Sequence, residues 1–297
     1  MKRTSFIAIV GRPNVGKSTL LNSILGEKVA IVSKKPQTTR NRITGIHTVG
    51  DDQFVFLDTP GMHKPRTKLG DFMVKTAAET LGGVDAAILV VEAREEVGDI
   101  EASLIARMKS DGLPAILVIN KTDTVRPVNI AKTIAAYAAA YDFDAVVPMT
   151  AKTGKGVDIL LSECEKYLNE SEWFFPEDIV TDQPEKRLAA EIIREKLLRL
   201  LEDEIPHGTA VTIEEWSERR GAVSIRAEIY CEKPSHKGII IGKHAATIKT
   251  IGTYAREDIE KMLDAKVFLD LYVRVKENWR DSDFNINDFG FNEDSRF

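Results

Sequence analysis

Apolar and polar positions alternate in two different ways along this chain, and the change between them divides it. From Phe6 to about Leu168, short apolar runs alternate with stretches of helical period; the runs are Phe6 to Val10, Ile43 to Val49, Phe54 to Asp58, Ala86 to Glu92, Ala115 to Ile119 and Ala145 to Pro148. That pattern predicts an open, mostly parallel α/β sheet with helices on both faces. Periodicity breaks at Ser171 to Glu185, where Trp173-Phe174-Phe175-Pro176 and Asp182-Gln183-Pro184 read as a packed connector. An amphipathic helix follows from Glu185 to about Glu204, then strands over Ala210 to Trp216 and Val223 to Tyr230, helices through Ile239 and through Ile248, Ile251 and Ile259, and a last strand over Lys266 to Val275. The layout is therefore an α/β domain at 1–170, a linker at 171–185, an α+β domain at 186–280 and an acidic tail at 281–297 with no assigned role.

Composition narrows this picture only at a few points. A chain of 297 residues suits two domains, each with a core of its own. The formal net charge of −5 argues against a uniformly basic nucleic-acid coat, whereas Arg219 to Arg280 holds 13 Lys/Arg against 8 Asp/Glu, a local surplus of 5. Cys164 and Cys231 lack metal-ligand spacing and read as buried apolar side chains in a reducing compartment. No apolar run reaches membrane-spanning length, and the basic start Met1 to Ser5 leads into an apolar run too short for a signal-peptide core.

The candidate chemistry gathers after the strands. Gly11-Arg12-Pro13-Asn14-Val15-Gly16-Lys17-Ser18 follows the first strand and opens a helix. Its glycines let amides converge on phosphate, Lys17 reaches the terminal phosphates, and Ser18 offers a hydroxyl to Mg²⁺. Asp58-Thr59-Pro60-Gly61 places an acid where it can hold Mg²⁺ through water, and the Gly61 N–H where it can meet a γ-phosphate. In Asn120-Lys121-Thr122-Asp123, the aspartate can accept from both the ring N–H and the exocyclic amine of guanine, a donor pair that adenine lacks. The Lys121 stem covers the ring and Asn120 ties loops together; a backbone N–H within Thr150-Ala151-Lys152 would meet the guanine carbonyl. In the polar loop from Lys34 to Arg42, Thr39 is preferred over Thr38 as the hydroxyl that completes the Mg²⁺ shell when γ-phosphate is present. His47 has no catalytic reading, and His63 has a weaker claim to line the site than these groups.

Together these motifs resemble a translation-factor-type GTPase domain. Gly-Arg-Pro-Asn-Val-Gly-Lys-Ser, Pro-Gln-Thr-Thr-Arg and Asp-Thr-Pro-Gly are similar to those of the Era branch of bacterial GTPases, as are Phe174 to Asp178 and Ile192 to Lys196 further on. The resemblance implies a GTPase that binds 16S ribosomal RNA near its 3′ end and assists maturation of the small (30S) subunit. It also implies GTP or GDP and Mg²⁺ as ligands, a cytoplasmic monomer that is sometimes peripheral at the inner face of the cell membrane, and no DNA partner. The nucleotide-binding candidates are Gly11, Asn14, Val15, Gly16, Lys17, Ser18, Thr19, Asp58, Gly61, Asn120, Lys121, Asp123, Thr150, Ala151 and Lys152; those for Mg²⁺ are Ser18, Thr39 and Asp58, and those for catalysis Lys17, Thr39 and Gly61. Met62 stands where Ras-like enzymes carry a water-orienting glutamine, so slow intrinsic hydrolysis is expected. Asn14 occupies the place of a K⁺ ligand in related potassium-activated GTPases, with a loop-bracing amide as its alternative role.

The second half, with Ile239-Ile240-Ile241-Gly242 ahead of a helix, resembles a K-homology RNA-binding domain of the bacterial (type II) arrangement. Its G-x-x-G turn reads Gly242-Lys243-His244-Ala245, so alanine replaces the second glycine and a positive φ there would be penalised. The RNA-binding candidates are Lys237, Gly238, Gly242, Lys243, His244 and Lys249. Two functional classes stand: a GTP-hydrolysing RNA-binding switch, and a largely passive RNA-binding protein with nucleotide as a structural ligand.

Overall fold

The computed structural model describes residues 1–62, 65–219 and 221–291. The chain forms two compact units, Met1–Pro65 with Gly70–Asp182, and Arg66–Leu69 with Gln183–Phe297.

The first unit carries β1 (Arg3–Val10), α1 (Lys17–Leu25), β2 (Ile43–Val49), β3 (Asp52–Asp58), α2 (Lys68–Thr80), β4 (Ala86–Glu92), α3 (Asp99–Asp111), β5 (Ala115–Asn120), α4 (Pro127–Ala140), β6 (Ala145–Pro148), α5 (Val157–Cys164) and β7 (Asn169–Glu170). The sheet order is β2-β3-β1-β4-β5-β6. The β2–β3 pair and the short β7–β1 pair are antiparallel, and the other neighbours are parallel. Each central strand sends alternate residues to opposite faces. Ile7, Ile9, Ile88, Val90, Ile116 and Val118 pack with Leu20, Leu21 and Ile24 of α1 and Leu160 of α5. Their neighbours Ala8, Val10, Leu89, Val91, Leu117 and Ile119 pack instead with Leu104, Ile105 and Met108 of α3 and Tyr137 of α4. Burying one such Val, Leu or Ile contributes about 1.5–3 kcal/mol, so this double-sided core fixes the sheet and therefore the loops at its carboxyl edge.

The connector is packed, as its aromatic residues suggest: Ser171 to Asp182 is fastened to the sheet. Gln53 Oε1 accepts from the Phe174 and Phe175 N–H groups at 3.0 and 3.1 Å, and the Trp173 indole donates to the Asp51 carbonyl. The Ile46 N–H donates to the Val180 carbonyl at 2.8 Å, and Thr181 Oγ1 to the Thr44 carbonyl at 2.7 Å. Backbone groups of an edge strand need partners, and β2 finds them here.

The second unit continues with α6 (Glu185–Leu200), β8 (Ala210–Arg219), β9 (Ala222–Cys231), α7 (Pro234–Ile241), α8 (Ala246–Leu263), β10 (Lys266–Val275) and α9 (Asp283–Asp288). Its sheet runs β10-β9-β8, with β9 antiparallel to β8 and parallel to β10. Ile192, Ile193 and Leu197 of α6, Ile240 of α7 and Ile251, Ala255 and Ile259 of α8 cover one sheet face. The tail expected from Asp281 is not a separate appendage in its described part. Trp279 is fully buried, donates from Nε1 to the Gly208 carbonyl at 2.9 Å, stacks on Phe291 and meets Phe289 edge to face, while Ser282 caps α9. The acidic composition concealed two phenylalanines that close over the Trp279 ring. No helix among the described residues is long and apolar enough to cross a membrane.

Candidate functional site

The chain leaves β1 at Val10 and turns through Gly11 to Gly16 into α1, whose unsatisfied first-turn amides face the turn. Gly16 has φ 102°, and a Cβ there would lie 2.3 Å from Asn120 Nδ2; a Cβ on Gly11 would lie 2.4 Å from the Val90 carbonyl oxygen. Both conformation and space therefore demand glycine. Gly61 sits directly against Pro13. Lys17, the first residue of α1, is buried and donates from Nζ to the carbonyls of Gly11 (3.1 Å) and Arg12 (2.8 Å).

Asp58 ends β3 fully buried. Ser18 Oγ donates to its Oδ2 at 2.6 Å and lies 2.8 Å from Thr39 Oγ1. Thr38 is turned away, its hydroxyl donating to the Lys35 carbonyl at 2.7 Å. Asp58 Oδ1 is buried with no hydrogen-bond partner. A buried carboxylate oxygen left unpaired is costly, and with two hydroxyls beside it the set is the all-oxygen arrangement that a hard divalent cation accepts. Ser18, Thr39 and Asp58 thus fit Mg²⁺.

Burial holds the Lys17 ammonium down at about 8 against the pull of Asp58. Burial likewise pushes Asp58 up to about 6, opposed by Lys17 and by the Ser18 and Thr39 hydroxyls. In protein stripped of nucleotide and metal, the native state keeps the Asp58 proton between about pH 4 and 6, after the unfolded chain has lost it. Stability from this group is full below pH 4 and declines as pH rises through 6; that of Lys17 runs the other way, full above about 10.5 and lost as pH falls through 8. Urea titrations with EDTA from pH 4 to 7 should show the first slope in the parent and a flatter one in Asp58→Asn.

A second group lies beyond β5 and β6. Asn120 Nδ2 donates to the Val15 carbonyl at 2.8 Å, and its Oδ1 accepts from the Ala151 N–H at 2.9 Å, so this side chain braces the phosphate loop against the 150–152 turn. The Ala151 amide is therefore engaged within the protein, while Lys152 is exposed. Lys121 Nζ donates to the Asn14 carbonyl at 2.6 Å and pairs with Glu92 at the end of β4. Asp123 stands exposed beside Thr150, whose hydroxyl donates to it at 3.4 Å. Asn14 adopts φ 65° and donates from Nδ2 to the Lys34 carbonyl at 2.8 Å, bridging the loop to the segment that carries Thr39.

Sequence reasoning passed over Glu92 and Glu101, the latter a first-turn residue of α3 that pairs with Arg12. Glu92 was findable as an acid at a strand's carboxyl end, whereas nothing in the local pattern marks Glu101. Met62 packs its side chain on the apolar cluster of α3 and α4, and its thioether cannot orient water as an amide would. His63 lies outside the described residues. His47 is half-buried, stacks on Phe54, and is held below the usual imidazole range by burial, as suits a packing residue.

In the second unit, Gly242 (φ 74°) turns the chain between α7 and α8, and a Cβ would lie 2.2 Å from Thr247 Oγ1. Lys243, His244 and Lys249 are exposed around the turn, Gly238 is exposed on α7, and Lys237 is half-buried. Ala245 caps α8 at φ 60°, the left-handed region that an alanine Cβ disfavours by about 1–2 kcal/mol. Ala245→Gly should therefore raise unfolding free energy by about 1 kcal/mol, read as a shift of several degrees in thermal midpoint.

Comparison with known proteins agrees with both halves. The family described as 50S ribosome-binding GTPase matches residues 6–121, and the KH domain family matches residues 204–280. GTPase Era of Clostridium novyi is 49% identical over 294 residues, covering 99% of this chain and 100% of its own. GTPase Era of Ruminiclostridium cellulolyticum is 47% identical over 290 residues, 97% of each chain. Among solved structures, an Aquifex aeolicus Era variant bound to GDP and AlF4⁻ superposes with TM-score 0.93 at 37% identity, over 97% of this chain and 99% of that one. Era bound to MgGDPNP and nucleotides 1506–1542 of 16S ribosomal RNA superposes with TM-score 0.94 at 37% identity, over 98% and 99%.

Proposed function

The chain belongs to the Era family of GTPases, and from that premise we propose that its GTP hydrolysis resets a switch that binds 16S ribosomal RNA near the 3′ end and assists 30S subunit maturation, in a cytoplasmic monomer. The observation that carries the nucleotide chemistry is the convergence of Lys17, Ser18, Thr39 and Asp58, with the Asp58 Oδ1 lone pairs unengaged. Ser18, Thr39 and Asp58 would hold Mg²⁺, which when bound would supply positive charge to the transferring phosphate. Lys17 and the loop amides hold the transferring phosphoryl group in line, the Gly61 N–H faces its oxygens, and Asp123 selects guanine. Lys237, Gly238, Gly242, Lys243, His244 and Lys249 form the RNA-facing surface, whose binding weakens as salt rises.

Thr39 leads directly into β2, and β2 holds Val180 and Thr181 just ahead of α6. Ordering of Thr39 by γ-phosphate therefore has a covalent and hydrogen-bonded route to the connector. Crosslinking to ribosomal RNA with a GTP analogue or GDP bound tests the switch: contacts that change with nucleotide are expected, and an unchanged set would sink it. Met62, packed on the apolar cluster, is the residue that makes the passive alternative harder to exclude; GTP turnover stimulated by small subunits excludes that alternative, and turnover indifferent to them excludes the switch. The K⁺ role assigned to Asn14 predicts faster single-turnover hydrolysis in KCl than in NaCl. Equal rates would leave Asn14 as a brace to Lys34.

A further inference from the structure

We infer that Glu101 is a positioning residue for the phosphate loop, holding the Arg12 side chain against α3 so that it braces the loop and never reaches the transferring phosphate. The inference rests on the GTPase reading of that loop. Arg12 is the only arginine in the loop and sits between Gly11 and Pro13, one side chain away from where an arginine finger supplied in cis would be useful. The geometry gives it a different task. Its guanidinium pairs through Nε with Glu101 Oε1, and the two side chains are 18% and 1% exposed. At its other end, the Arg12 carbonyl accepts from Lys17 Nζ. One residue thus joins the phosphate-binding lysine to α3.

Three further features make the pair a device and not a surface accident. Glu101 lies in the first turn of α3, where the helix dipole favours an anion. Its carboxylate packs over Gly98, at which a Cβ would lie 2.6 Å from Glu101 Oε2. Tyr137 of α4, fully buried, lies near enough that its phenol is raised by the Glu101 charge and lowered by that of Arg12, beyond the larger effect of its burial. A buried pair of this kind loses more when one partner is removed than it gains by existing, because the survivor keeps its charge in a low-dielectric site. Removing Glu101 therefore frees or strands Arg12 and lets the loop drift, while the phosphate ligands themselves stay intact.

The test is a double-mutant cycle on the full chain, with GTP affinity and single-turnover hydrolysis at saturating GTP read separately. Glu101→Gln and Arg12→Gln should each weaken GTP binding about tenfold or more, and the double variant should be no weaker than the worse single, since the two act as a unit. At saturation the single-turnover rate should fall less than tenfold in each, and Glu101→Asp should recover most of the lost affinity. A fall of about a hundredfold or more in that rate for Arg12→Gln, with Glu101→Gln near the parent, would make Arg12 the transition-state group and overturn the inference. So would additive losses of affinity. Gly98→Ala displaces the carboxylate without removing a charge and covers the case in which Glu101→Gln fails to fold: it should weaken GTP binding in the same direction, and parent-like affinity would count against Glu101. Failure of the parent to bind GTP would instead overturn the nucleotide reading itself.

Discussion

Asp123→Asn should lower affinity for GTP about a thousandfold and raise affinity for xanthosine triphosphate. Each of the two guanine donors bonded to an ionised acceptor contributes on the order of 2 kcal/mol, and two such bonds lost together amount to about a thousandfold in binding. An asparagine at 123 presents a carbonyl and an amide NH₂; the NH₂ faces guanine's own donors, whereas xanthine offers an acceptor at that edge. The site can express this difference because its surroundings are rigid. Asn120 is fixed from both ends by Val15 and Ala151, and Thr122 and Thr150 hold the two loops together at 3.1 Å, so the aspartate is carried on braced loops. Competition binding with GTP, ATP and xanthosine triphosphate checks the expectation, and an Asp123→Asn protein that still prefers GTP refutes the base assignment.

Lys17→Met should leave a folded protein whose single-turnover GTP hydrolysis falls about a hundred- to a thousandfold, the loss that follows when one preorganised charge at a transferring group is removed. Methionine matches the length of the buried stem, so packing around Leu20 and Leu21 survives. The electrostatic consequence reaches Asp58, whose carboxylate loses the cation that opposes its burial, so its pKa should rise above the parent value of about 6. Mg²⁺-dependent nucleotide binding should then weaken as pH falls from 8 to 6, and do so at higher pH than in the parent. Hydrolysis within tenfold of the parent would show that the loop amides alone stabilise the transferring phosphoryl group.

Much of this protein is written locally in its sequence. The apolar runs at Ala86 to Val91 and Ala115 to Ile119 specify strands buried on both faces, because nothing in them can face water, and the order of strands and helices then leaves an open parallel sheet as the solution. Gly16-Lys17-Ser18, Asp58 and Asn120 to Asp123 were legible because phosphate, Mg²⁺ and guanine each require particular donors next to a strand end. What sequence could not set was which polar groups meet across the fold. The sequence favours Thr39 over Thr38, but the contact that gives it a role, its hydroxyl 2.8 Å from Ser18 Oγ, exists only once the chain is folded. Phe289 and Phe291 looked like part of an acidic tail until Trp279 supplied a surface for them, and Glu101 carries no signal until α3 docks against Arg12. Periodicity records what each residue wants from water, and that preference is local; the partner of a charge or hydroxyl is fixed by distance in three dimensions, which only the packed core determines.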